Sequence, residues 1–273
     1  MQKIFLVGSP RSGTTLLQTI LTEQAGLHTL KETHYFRNLH RWRPLRALDR
    51  WRLDPKRVRA AFAFVRDNNP LETRFEPEGV RTLGDAVRAL DTLLSAEAAV
   101  RGKRGWLEKT PEHMFFVDEV RAHVPGAKFV HILRDGEDVV ASLFDAKAKY
   151  PAHWGWLGSL PDMVRLYNRY VRATRRDRGR GDTFVVRYDD LVERDRGMLD
   201  GLCRFLGVPP GGLDLARAAS YRPEIVRAEE AWKVRSDAGV VDTRGQKFGR
   251  LFDRGQQDRI RRTLAPTADI RSG

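Results

Sequence analysis

The stretch Ile4-Phe5-Leu6-Val7-Gly8-Ser9-Pro10-Arg11-Ser12-Gly13-Thr14-Thr15 runs from an apolar segment through a glycine-bounded turn into a segment of helical pattern at 14–24. An unbroken apolar run of this kind suits a strand buried on both faces, as in a parallel sheet. Gly8 and Gly13 frame four residues. A common phosphate-loop pattern has this spacing and continues with Lys and then Ser or Thr. Here Thr14 stands in the lysine's place, and Arg11 supplies a cation inside the loop. Two glycines let backbone N–H groups turn inward around an anion, and the following helix N-terminus adds partial positive charge. Ser9, Pro10, Arg11, Ser12, Gly13, Thr14 and Thr15 are therefore candidate anion-binding residues. A nucleoside triphosphate with its metal needs the missing lysine. The expected ligand is a nucleotide with less charge at this end, and no metal is expected.

Working outward, further strands are expected at 27–30, 105–107, 129–133 and 184–186, with helices at 112–123, 138–147 and 194–206. Strands alternating with helices predict an α/β fold, a P-loop-type parallel sheet flanked by helices. Residues 36–100 break the rhythm. Trp42, Leu45, Leu48 and Trp51 recur every three residues, and Val87, Leu90 and Leu94 have a helical period. This segment is expected to be a helical insertion over the site, within a single domain spanning 1–273. Ligands of such sheets bind beyond the carboxyl ends of the strands. The polar groups at those ends are the loop, Glu32, Glu108 with Lys109, Arg134 with Asp135, and Arg187 with Tyr188.

The chain has 273 residues, 41% hydrophobic and 31% charged, as in globular domains. Its single cysteine excludes an internal disulfide and argues against a zinc cluster. Cys203 sits among Leu202, Phe205 and Leu206 and reads as core. No apolar run approaches the roughly 20 residues that span a bilayer, and a strand begins almost at once, so a cytoplasmic location is expected. The formal charge is +13, and 39 of the 49 basic residues are arginine. Residues 37–59 hold nine basic residues against Asp49 and Asp54. That bias fits either a solvated basic face or an anionic partner. Nucleic acid is not the expected partner, because the aromatics do not interleave with the arginines as a stacking platform requires.

Four ordered motifs then resemble one family. Pro10-Arg11-Ser12-Gly13-Thr14-Thr15 resembles the 5′-phosphosulfate loop of sulfotransferases that use 3′-phosphoadenosine 5′-phosphosulfate (PAPS). Leu133-Arg134-Asp135-Gly136-Glu137-Asp138-Val139-Val140-Ala141-Ser142-Leu143 resembles the family's 3′-phosphate motif, an arginine with a serine eight residues later. Glu108-Lys109-Thr110-Pro111-Glu112-His113 is similar to a segment of many bacterial members, and Arg187-Tyr188-Asp189-Asp190-Leu191-Val192 to another. Arg134 ending a strand and Ser142 two turns into the next helix would approach one pocket, and an arginine fork suits a phosphate dianion.

The resemblance implies sulfuryl transfer from PAPS to a hydroxyl of a small-molecule acceptor, leaving 3′,5′-adenosine diphosphate (PAP), with no metal. Arg11 and Lys109 are the cations expected at the leaving oxygen. The base is open among three residues. Glu32 is favoured by a Glu-Thr context like that of tyrosylprotein sulfotransferases; His113 and His34 are the others. Tyr188 is expected near the adenine or the 3′-phosphate. Lys247 and Gly249 resemble a lysine–glycine loop that closes over the 3′-phosphate, although Leu251 and Phe252 stand where the family usually has tryptophan; Trp232-Lys233 is a looser candidate. The acceptor is unread: the arginines of 36–100 favour an anionic natural product or nucleoside, while a sugar, a phenol or a tyrosyl side chain fits equally. Two other classes share the loop: a P-loop small-molecule kinase using ATP, and a non-catalytic nucleotide- or nucleic-acid-binding protein.

Overall fold

All five expected strands form one sheet in the computed structural model, which describes residues 1–39, 51–213 and 245–273. They are β1 (Gln2–Gly8), β2 (Leu27–Thr29), β3 (Gly105–Lys109), β4 (Ala127–Leu133) and β5 (Thr183–Arg187), in the order β2-β3-β1-β4-β5. Every pairing is parallel, with Leu6 opposite Lys109, Gly8 opposite Ile132 and Leu133 opposite Arg187. The register brings all five carboxyl ends to one edge, with the loop after the central strand in the middle.

The period-two alternation of β1 explains its two cores. Phe5 and Val7 face one side, with Trp106 and Phe129, under α2 (Tyr35–Leu39), α3 (Pro55–Asn68), α4 (Leu83–Val100) and α5 (Val117–His123). Ile4 and Leu6 face the other, with Leu107, Val130 and Val186, under α1 (Thr14–Gln24), α9 (Tyr188–Val192) and α10 (Arg196–Leu206). Each fully buried Phe or Trp on these faces hides roughly 150–250 Å². A third cluster joins the end of β4 to α6 (Gly136–Lys149), α8 (Leu160–Asp177), α11 (Gln246–Leu251) and α12 (Arg254–Thr263). The short α7 (Pro151–Trp154) links α6 to α8.

Two expectations change here. The segment 36–100 is not simply a cover over the site. Val87, Leu90 and Leu94 are buried on α4, which lies against the sheet: Asp91 pairs with Lys3 at 2.7 Å and Ser95 accepts from the Trp106 indole at 3.1 Å. A capping box between Thr82 and Asp85 starts that helix. The three-residue period does not continue into Trp51, which is 77% exposed; Trp42, Leu45 and Leu48 lie outside the described residues. The expected helix at 112–123 is split, because Pro111–Phe116 winds as a tighter 3-10 turn before α5.

Candidate active site

The loop after β1 narrows around its own backbone. Ser12 N–H donates to the Ser9 carbonyl at 3.2 Å, and Arg11 and Gly13 both take positive φ, 73° and 92°. Gly13 is the N-cap of α1, and no side chain caps that helix. Its first N–H groups thus face the loop, the arrangement that binds anions. A Cβ on Gly13 would stand 2.6 Å from the Tyr188 ring. Tyr188, buried at the end of β5, therefore packs directly beneath the loop. Its other neighbour is Arg134, whose guanidinium carbon lies 4.2 Å from the ring centroid.

The loop and the motif 133–143 meet. Arg11 Nε donates to Ser142 Oγ at 3.1 Å across 131 residues. Burial, then the adjacent Arg134, push the Arg11 guanidinium down from its ordinary value, offset in part by Asp145, Tyr150 and Glu32. An arginine does not give up its proton in a protein. A bound anion would relieve that tension. Ser12 Oγ is buried and has no hydrogen-bond partner among the described residues. Two close arginines, an uncapped helix start and an orphaned hydroxyl fit the phosphates of a nucleotide.

Helix α6 organises the rest of this side. Asp135 caps it by accepting from the N–H groups of Glu137 and Asp138. Asp138 accepts from Arg134 at 2.9 Å and from the Gly245 N–H at 2.7 Å. Asp145 accepts from Lys247 at 2.6 Å, and α11 is thereby laid beside α6. Burial raises the Asp145 carboxyl, but Lys247 and Lys149 outweigh it and hold it below the ordinary value. Lys247 is thus near Arg11 and Ser142 through Asp145. Gly249 is exposed, with open space where a Cβ would be. Trp232 and Lys233 lie outside the described residues. Arg187 turns away from the loop and donates to the carbonyls of Thr267 and Ile270.

On the other side of the loop, Lys109 ends β3, fully buried, and donates to Glu32 Oε1 at 2.5 Å. Glu32 is fixed by its neighbour: Thr33 N–H donates to Thr110 Oγ1 at 3.0 Å and Thr33 Oγ1 to Glu108 Oε1 at 2.8 Å. Glu108 also accepts from Thr110 and from His113 Nδ1, at 2.6 and 2.7 Å. Burial raises the Glu108 carboxyl; His113, Thr110 and Thr33 outweigh it and hold it below the ordinary range. His113 is buried with its ring 4.5 Å from that of Phe36. It faces the core, while His34 faces Glu112 at 2.5 Å and Glu32 at 3.6 Å. Asp138, four residues after Arg134, is a salt-bridge partner that the spacing allows for that arginine, and the pair forms. Glu112, which the sequence offers as a structural partner for Lys109, pairs with His34 instead, and Asp145, just beyond the second motif, carries no signal in the sequence.

A family model described as "Sulfotransferase family" matches residues 3–210. The chain belongs to the sulfotransferase family. It is 27% identical, over 239 residues, to the nodulation protein NoeE of Sinorhizobium fredii, covering 78% of this chain and 51% of that protein. The chain therefore spans about half the length of the curated relative it matches. Among solved structures it resembles the sulfotransferase domain of a Synechococcus olefin synthase, with TM-score 0.51, 22% identity, and 98% of this chain and 90% of that one covered. It also resembles a mouse sulfotransferase complexed with PAP, with TM-score 0.51, 13% identity and coverage of 96% and 82%. Among the described residues, no helix is long and apolar enough to cross a membrane, and no group of three or more His, Cys, Asp or Glu is placed to hold a metal ion.

Proposed function

We propose that this sulfotransferase uses PAPS and transfers its sulfuryl group to a hydroxyl of a small-molecule acceptor. The observation that carries the reading is the hydrogen bond from Arg11 to Ser142, with Arg134 close to Arg11 and stacked on the Tyr188 ring. PAPS carries an anionic phosphosulfate and a 3′-phosphate on one adenosine, and supplies an activated sulfuryl group. The loop 9–15 with Arg11 holds the first anion. Arg134, Ser142 and the nearby Lys247 hold the second, and Tyr188 supports Arg134 from below. A charge-assisted arginine fork at each end gives both affinity and orientation.

Glu32 is the base. It accepts the proton of the acceptor hydroxyl while that oxygen bonds to sulfur. The bond between sulfur and the 5′-phosphate oxygen breaks, and Lys109 and Arg11 stabilise the charge left on that oxygen. Lys109 Nζ, 2.5 Å from Glu32 Oε1, fixes one oxygen of that side chain. His113, packed in the core against Phe36, holds Glu108 and through it Thr33.

The test is radiolabelled PAPS with a panel of phenol, sugar and nucleoside acceptors, beside calorimetric titration with PAP and with ATP–Mg²⁺. The expected result is labelled product, tight PAP binding and weak ATP binding. ATP binding without PAP binding would favour a kinase. Glu32→Gln keeps an oxygen facing Lys109, so it should leave PAP affinity within about threefold while lowering turnover about 10²-fold or more. Turnover within a few-fold of the parent refutes the assignment of the base.

A further inference from the structure

We infer that His34 and Glu112 form a proton relay behind Glu32, carrying the acceptor's proton out of the site. This rests on the reading of Glu32 as the base. Four side chains stand in a line: Glu112, His34, Glu32 and Lys109. The steps are 2.5 Å from Glu112 Oε1 to His34 Nδ1, 3.6 Å from His34 Nε2 to Glu32 Oε2, and 2.5 Å from Glu32 Oε1 to Lys109 Nζ. Each oxygen of Glu32 thus has its own neighbour: one faces the buried cation and the other the imidazole.

The orientation of the ring decides the direction of transfer. With Nδ1–H donating to Glu112, a neutral His34 presents the lone pair of Nε2 to Glu32. The 3.6 Å between Nε2 and Oε2 is too long for a hydrogen bond while Glu32 is a carboxylate; once Glu32 has taken the acceptor's proton, Oε2–H has a hydrogen to donate, the two atoms close to about 2.8 Å, the Oε2–H bond breaks and an Nε2–H bond forms. His34 becomes imidazolium, and Glu112 stabilises that charge. The proton then leaves to water at the outer end of the line, where side-chain exposure rises from 0% at Lys109 through 11% at Glu32 and 13% at His34 to 23% at Glu112. Glu32 is returned to the carboxylate for the next cycle. No bond order is left unbalanced and no co-reactant is needed.

The backbone holds this arrangement against strain. His34 takes φ 45°, an uncommon conformation for a residue with a side chain. It is flanked by Thr33, anchored to Thr110 and Glu108, and by Tyr35, whose hydroxyl donates to the Ala86 carbonyl at 3.0 Å. Strained backbone persists only where its surroundings over-determine it. The imidazole faces Glu32 from its own loop and Glu112 from the 3-10 turn; Arg37 of α2, 3.8 Å from Glu112, His113, and Tyr170 of α8 stand near Glu112, and Lys109 of β3 stands on Glu32. The Phe64 ring of α3 closes the apolar side, 6.0 Å from the imidazole.

Two measurements test the relay. In the free protein, side-chain nitrogen NMR of His34, recorded where the ring is neutral, should find the proton on Nδ1 and should lose that preference in Glu112→Gln. A proton on Nε2 in the parent overturns the proposal. In PAPS turnover with the best acceptor of the panel, His34→Ala should lower kcat at least tenfold, and added imidazole should restore part of it. Glu112→Gln, the variant to rely on if His34→Ala does not fold, should lower kcat several-fold, with PAP affinity within about threefold of the parent. If both variants turn over within twofold of the parent, the relay is wrong; an inactive Glu32→Gln beside them would leave the base in place. A His34→Ala enzyme that imidazole does not rescue and that binds PAP poorly shows a structural role and overturns the relay. Full activity in Glu32→Gln removes the base itself.

Discussion

Replacing Gly13 by alanine tests the contact on which the nucleotide grip is built. The position takes φ 92°, and a Cβ there would lie 2.6 and 2.7 Å from Cδ2 and Cε2 of Tyr188. The left-handed backbone costs roughly 1–2 kcal/mol for a residue with a side chain. The overlap adds a further ~1–3 kcal/mol, typical of overpacking. Gly13→Ala should therefore lose about 2–5 kcal/mol, a large share of the stability of an ordinary domain. Tyr188 is trapped between the loop and Arg134, so its ring cannot move without disturbing the guanidinium 4.2 Å away. PAP binding should weaken along with stability. Urea unfolding of Gly13→Ala, Tyr188→Ala and the double variant separates the two costs. Without the ring, the overlap disappears and only the backbone cost remains, so the double variant should be more stable than the sum by ~1–3 kcal/mol. A single-variant loss under about 0.5 kcal/mol, or additivity within about 0.5 kcal/mol, would refute the packing argument.

Arg134→Ala should weaken PAP binding by about 2 kcal/mol or more by titration calorimetry, through loss of a charge-assisted contact; unchanged affinity would remove Arg134 from the 3′-phosphate site. His131, in the middle of β4, is fully buried, and burial pushes it down to about 4 from its ordinary 6.5. The unfolded chain then binds a proton that the folded chain refuses between those values, so stability falls as pH drops from 6.5 toward 4, by about 3 kcal/mol from this residue. Urea titrations across that window should show the slope in the parent and a flatter curve in His131→Leu; equal slopes would count against it.

The sheet was legible because its signal is crude. Runs such as Phe129 to Leu133 have one reading in a chain with no membrane-length segment, and the loop carries glycines at a spacing few other turns require. The ends of those strands could be placed together from the parallel order alone. Helices that share several environments were harder. The segment that became α8 has a capping box from Ser159 to Asp162, yet its many arginines hide the buried face of Met163, Tyr167, Tyr170 and Val171. The region before β3 reads as an insertion over the site because a helical period alone does not say that α4 lies on the sheet, where it meets the neighbouring β3 at Trp106 and the distant β1 at Lys3. For the site, residue types point to the proposed anion-binding groups, but most of the pairing does not follow from them. That Lys109 meets Glu32, and that His113 meets Glu108 rather than the loop, depends on side-chain direction at the end of β3. Periodicity carries no information about that.

The hydrogen bond from Arg11 to Ser142 has a consequence for which nucleotides are turned away. Under the proposed reading it ties the residue that would grip one end of the ligand to the residue that would grip the other. A molecule that offers only one of the two anions leaves its own half unfilled and also withdraws support from the half it does occupy. Rejection of adenosine compounds with a bare ribose 3′-hydroxyl should thus exceed the value of a single missing phosphate contact, and the abundant adenosine polyphosphates would be poor competitors even where their 5′ chain fits the loop.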